Sequence, residues 1–176
     1  PADDVEARAA VKAAIEMEGP VYLRFGRLAV PIFNDPETYQ FEIGKGITLR
    51  EGKDVTLVAT GLMVSEALDA AEQLAAEGIS ARVLNIHTIK PLDVDLIAKA
   101  AAETGLLITV EEHSIIGGLG AAVAEAVCDT CPVPVVRIGV NDEYGHSGPA
   151  VDLLKEFGLC AEHIVAVTKA SMAKKA

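Results

Sequence analysis

From Val55 onward the apolar and polar positions follow two alternating rhythms. Four short runs, Val55–Ala59 and residues 82–86, 106–110 and 135–138, are almost continuously apolar, as strands buried on both faces are. Between them the apolar residues recur at helical spacing. The pattern predicts a helix over about 64–77 closed by Gly78, one capped by Asp93 and running to about Glu103 before Thr104-Gly105, and one over 120–129 after a glycine-rich turn. Two short helices, over about 150–157 and 161–173, complete the chain, with Lys174 and Lys175 as a frayed tail. Short apolar strands separated by helices of this length imply right-handed crossovers and a largely parallel sheet with helices on both faces. Residues 47–49 read as an edge strand that pairs with the 55–59 strand in a hairpin across Glu51-Gly52-Lys53.

The first part of the chain has a different pattern. Asp3 and Asp4 suit an N-cap, and Val5, Ala9, Ile15 and Met17 fit the stripe of a partly buried helix. Gly19-Pro20 stops that helix, and Val21-Tyr22-Leu23 reads as a buried strand leading to Arg24 and Arg27. One helix and one strand cannot hide their own apolar faces, so residues 1–27 read as the end of a domain whose remainder lies outside this sequence. From Leu28 to Lys53, Pro31, Asn34-Asp35-Pro36 and Gly44-Lys45-Gly46 interrupt any sustained period. A connection of that length favours a domain boundary.

Composition narrows the function classes. The 176 residues are 51% apolar, ample for a core, and carry a net charge of −11. That charge argues against a nucleic-acid partner and against an anionic membrane surface. No apolar run approaches the roughly 20 residues of a membrane span, no signal peptide is visible, and a cytoplasmic protein is expected. Cys128 and Cys131 match C-x-x-C but fall at a helix end before Pro132, and Cys160 is the only other thiol. A structural role is expected for all three.

In an open α/β sheet, ligands bind beyond the carboxyl ends of the strands. Those ends carry Thr60-Gly61, His87-Thr88, Glu111-Glu112-His113 and Asn141-Asp142-Glu143. A metal or acid–base site of His87, Glu112, His113 and Asp142 would need these side chains to converge; the plainer reading is polar residues gathered where strands end. Gly117-Gly118-Leu119-Gly120 sits between a strand and a helix, as a phosphate loop does. It follows the wrong strand for a dinucleotide fingerprint and lacks the carboxylate some 20 residues on, so it reads as a tight turn. Gly145-His146-Ser147-Gly148 reads as a flexible turn. Arg24 and Arg27 are the strongest chemical candidates, because a guanidinium presents a planar fork of donors matched to phosphate.

Several segments together carry a resemblance: Pro1–Glu6, Gly19-Pro20 through Arg27, Thr88-Ile89-Lys90-Pro91-Leu92-Asp93, Val110-Glu111-Glu112-His113 with Gly117–Gly120, and Ser147-Gly148 with residues 153–159. In order and spacing the chain resembles the transketolase family, most of all the C-terminal subunit of the split transketolases. The resemblance implies residues 1–31 as the end of a thiamine-diphosphate pyrimidine-binding domain, 32–43 as a linker, and 44–176 as the C-terminal domain. That domain's expected fold is a mostly parallel sheet with an antiparallel edge strand. The implied activity is transfer of a two-carbon ketol unit between phosphorylated sugars, with thiamine diphosphate and Mg bound mainly outside this chain. The implied partners are an N-terminal subunit or domain, homodimer contacts and sugar phosphates. One substrate contact carries over: Arg27, the second arginine of the Gly19–Arg27 segment, on the sugar phosphate. No catalytic or metal-binding residue is expected within the sequence, and the chain alone is expected to be inactive. His87, His113 and the glycine turn are then expected to serve packing and subunit contacts. 1-Deoxyxylulose-5-phosphate synthase and the beta subunits of 2-oxo-acid dehydrogenases share the fold and stand as alternatives. A non-catalytic module binding an anion or a partner chain is the alternative of another class.

Overall fold

The computed structural model describes residues 1–175; Ala176, the last residue of the expected C-terminal domain, lies outside the described residues. Its elements are α1 (Asp4–Glu16), β1 (Ile47–Arg50), β2 (Val55–Ala59), α2 (Met63–Ala76), β3 (Ala81–Asn85), α3 (Val94–Thr104), β4 (Leu107–Ser114), α4 (Leu119–Asp129), β5 (Val135–Val140), α5 (Ala150–Glu156) and α6 (Ala161–Lys175). The strands form one five-stranded sheet in the order β1-β3-β2-β4-β5, parallel except at β1.

Side-chain alternation divides the core into two layers. Val55, Leu57 and Ala59 of β2, with Val83, Ile108 and Val110, face α2 and α6 through Met63, Ala67, Leu74 and Ile164. Val58, Leu84 and Leu107 face the other way, against Ile97 and Ala101 of α3 and Leu119 and Val123 of α4. Each fully buried Leu or Ile of this kind contributes roughly 1.5–3 kcal/mol. A polar side chain of β2, Thr56, is fully buried and meets the Thr104 hydroxyl at 3.0 Å.

Helix ends follow local chemistry. Asp93 accepts from the Leu96 amide at the start of α3, and Gly105, at φ 64, closes it with its N–H on the Ala101 carbonyl. The last helix continues through Lys174 to Lys175, so the expected frayed tail is helical in the structure.

Two expectations are corrected. The edge strand β1 is antiparallel as expected, but it pairs with β3 and not with the 55–59 strand. Both sides of β2 are taken, by β3 and β4. The connection crosses the start of β3 at Gly52, where a Cβ would lie 2.2 Å from the Arg82 amide nitrogen. Lys53 and Asp54 then donate to the Ser80 carbonyl, which fixes the crossing. Second, Val21-Tyr22-Leu23 forms no ladder, and residues 18–46 contain neither helix nor strand. Residues 21–23 pair with no strand of this sheet and are largely exposed. The helix of the expected helix-strand remnant is present; the paired strand is not.

Candidate functional site

The carboxyl edge of the sheet is covered by the chain's own amino-terminal segment. Asp3 caps α1 by accepting from the Glu6 amide at 2.9 Å, and its second oxygen accepts from the amides of Phe33 (3.2 Å) and Asn34 (2.9 Å). Burial alone would raise the Asp3 carboxyl; these amide bonds outweigh it and hold the group below its ordinary pKa. Glu6, fully buried, accepts from the Ala2 amide at 2.6 Å, from Asn85 Nδ2 at 2.7 Å and from the Tyr39 hydroxyl. Desolvation, with that bond to Glu6, pushes the Tyr39 phenol well above its ordinary range. Asn85 ends β3, so Glu6 fastens α1 onto the edge where an α/β sheet would otherwise receive a ligand.

The sequence-predicted acid–base group does not assemble. His87 Nδ1 lies 2.8 Å from the Thr88 hydroxyl and its ring stands against Phe41, with centroids 4.2 Å apart. Burial lowers its pKa, favouring the neutral ring. His113 turns its Nδ1 to the Ser114 carbonyl at 2.8 Å and is half exposed, 4.0 Å from Glu111 Oε2. Glu112 engages through its backbone: its carbonyl oxygen accepts from Arg24 Nη1 at 3.2 Å. Asp142 lies in an exposed turn at φ 46. Among the described residues no three His, Cys, Asp or Glu side chains are placed to hold a metal ion.

The glycine turn has a definite occupant. Glu111, buried midway along β4, accepts from the Leu119 amide at 2.7 Å and the Gly120 amide at 2.8 Å. An internal carboxylate thus fills the anion position at the α4 N-terminus, where a phosphate would bind. Gly118 is required by that contact, since a Cβ there would lie 2.0 Å from Glu111 Oε2. The turn therefore does not fit a diphosphate.

Arg27 is exposed on the extended segment, with no hydrogen bond or ion pair among the described residues. Its guanidinium is free to take an anion. By contrast, a cleft of about 430 Å³ between α2 and α5 is walled by Glu66, Asp69, Glu72 and Glu162 with Lys155, a surface that repels anionic sugars. Cys128, Cys131 and Cys160 are free thiols, and burial raises the pKa of Cys160. No helix among the described residues is long and apolar enough to cross a membrane.

Sequence reasoning missed the hub of Glu6, Tyr39 and Asn85. Asp3 marked the helix start as an N-cap, which said nothing of Glu6. Nothing local could show that Glu6 also reaches a residue 79 positions away.

A family model described as "Transketolase, C-terminal domain" matches residues 44–164. The chain is 49% identical over 166 residues to the 6-deoxy-6-sulfo-D-fructose transketolase subunit SqwH of Clostridium sp. (strain MSTE9), covering 94% of this chain and 51% of that protein. It is 42% identical over 171 residues to 1-deoxy-D-xylulose-5-phosphate synthase of Heliobacterium modesticaldum, covering 96% of this chain and 26% of that one. A solved chain described as a split gene transketolase, inactive beta4 tetramer, superposes with a TM-score of 0.94 at 50% identity, over 98% of this chain and 56% of its own. This chain therefore spans about half the length of the subunit-sized relatives and about a quarter of the synthase.

Proposed function

The chain belongs to the transketolase family, through the C-terminal domain, and from that premise we propose that it is part of an enzyme that moves a two-carbon ketol unit between sugar phosphates with thiamine diphosphate. The observation that carries this reading is the near-complete likeness to a split-gene transketolase chain. In this proposal residues 1–31 end a pyrimidine-binding domain, 32–43 link it, and 44–176 form the C-terminal domain. An N-terminal subunit or domain supplies the rest, and copies of the chain meet in a homodimer.

The glycine turn does not offer the cofactor a diphosphate cradle. Glu111 takes the amides that could cradle a diphosphate, and no acidic cluster among the described residues suits a divalent metal. In this proposal thiamine diphosphate and Mg are bound mainly by chain outside this sequence, and the part played here is binding and support. The sheet edge is closed by Glu6, Asn85 and Tyr39, which makes the domain a rigid base for the arm that carries Arg27.

Arg27 is proposed to clamp the phosphate of the sugar. A charged hydrogen bond is worth about 1.5–3 kcal/mol, so in the intact enzyme Arg27→Ala should raise KM for a phosphorylated acceptor by roughly 10- to 100-fold. Its dephosphorylated counterpart should be unaffected and kcat little changed. Equal losses on both acceptors would remove the assignment.

A second reading draws on the likeness to 1-deoxy-D-xylulose-5-phosphate synthase over nearly the whole chain. Formation of 1-deoxy-D-xylulose 5-phosphate by the intact enzyme, in place of ketol transfer, would select it.

A further inference from the structure

Among the described residues, Arg24 makes the one polar tether of the segment that carries Arg27. Between Met17 and Phe33, among the described residues, the only hydrogen bond is that from Arg24 Nη1 to the Glu112 carbonyl oxygen, at 3.2 Å. No backbone amide or carbonyl in that stretch is bonded. Phe25 adds an apolar fixing: it is half exposed and lines a groove with Ala7, Arg8, Val11 and Lys12 of α1. Beyond it comes Gly26, with nothing within 4 Å of where a Cβ would stand, and then Arg27. Arg24 and Phe25 are therefore the last held points before the free guanidinium.

Three residues of extended chain span about 10 Å, so the place where Arg24 is pinned limits where Arg27 can reach. We propose that Arg24 is a positioning residue: its guanidinium, bonded to the Glu112 carbonyl at the end of β4, sets the arm so that Arg27 meets the phosphate of the substrate. The inference rests on the phosphate contact assigned to Arg27 above. It also gives Glu112 a role, through its backbone oxygen, that its carboxylate does not have. Without the tether, the short stretch from Arg24 to Arg27, beyond residues 21–23, loses its fixed course and a substrate has to order it on binding; that ordering entropy weakens binding without slowing the chemical step.

The test is steady-state kinetics of the assembled enzyme with a phosphorylated acceptor and its dephosphorylated counterpart, for Arg24→Met, Arg24→Lys, Arg27→Ala and the double variant R24M/R27A. Arg24→Met should raise KM for the phosphorylated acceptor about 3- to 10-fold with kcat within about two-fold. Arg24→Lys, which keeps a donor, should recover much of that loss, and the double variant should be no worse than Arg27→Ala. Thermal unfolding should stay unchanged, since the side chain is exposed. Equal losses of Arg24→Met on both acceptors, or losses that multiply in the double variant, overturn the positioning role while leaving Arg27 in place. If Arg27→Ala itself fails to distinguish the acceptors, the phosphate reading falls and takes this inference with it.

Discussion

Asp3 holds three backbone amides, those of Glu6, Phe33 and Asn34, and so joins the start of α1 to a loop some 30 residues on. The folded-state pKa lies below the ordinary 3.8. A depressed carboxyl contributes stability that is complete above the unfolded pKa and is lost as pH falls through the folded one. Removing a helix cap costs about 0.5–2 kcal/mol, and the two further amides place Asp3→Ala at the upper end, about 2 kcal/mol at pH 7. Urea denaturation of both proteins should show that gap undiminished down to about pH 4 and shrinking only below it. A gap that stayed constant to pH 2 would mean the charge on Asp3 plays no part. The aspartate was legible as a cap from its place before an amphipathic run. Its second task was not, because Phe33 and Asn34 lie in a stretch with no periodicity to fix where it returns.

At the scale of elements, α4 shows how a buried group replaces a local cap. Its own N-cap, Gly118, has no side chain, and the amides of Leu119 and Gly120 are satisfied by Glu111 from the neighbouring strand. Glu111→Ala leaves both amides buried without partners, a loss of about 2–4 kcal/mol in unfolding free energy by urea titration. A change under about 0.5 kcal/mol would show that water replaces the carboxylate at no disadvantage. The strands and helices beyond Val55 were legible because alternation and helical period are local signals, and the structure keeps those elements within a few residues. Strand order was less so. The 47–49 run was readable as an edge strand, but its pairing with β3 depends on β2 being enclosed and on the crossing at Gly52. The apolar run at Val21–Leu23 has strand composition and no strand partner, which composition cannot reveal. Arg24 fared the same way: its role depends on a carbonyl 88 residues distant.

At the scale of the whole molecule, seven of the twelve large apolar side chains left exposed among the described residues lie between Val11 and Ile32, while Ile89, Val94, Ile116, Tyr144 and Val151 are scattered over the rest. The sheet residues of the core are essentially inaccessible, whereas Ile15 is 79% exposed, Tyr22 87% and Ile32 63%, with Val11, Met17 and Phe25 in the same segment. Large exposed side chains grouped along α1 and the arm suit a surface covered in a larger assembly. Under the proposed function that cover is the remainder of the cofactor-binding domain, and Val21–Leu23 becomes a strand against it. Two measurements follow from this single cause. With thiamine diphosphate, Mg and sugar phosphates, the chain by itself should show no turnover; turnover would end the reading of it as one part of an enzyme. The backbone amides of Val21 to Leu23, unbonded here, should exchange with solvent almost unprotected in the isolated chain. In the assembled enzyme they should slow by about 100-fold or more, as amides in a paired strand do. Inactivity alone would also suit a binding module, but protection at these amides requires a strand partner. An arm that stayed unprotected on assembly would leave its apolar residues without an occupant and Arg27 without the support its phosphate contact needs.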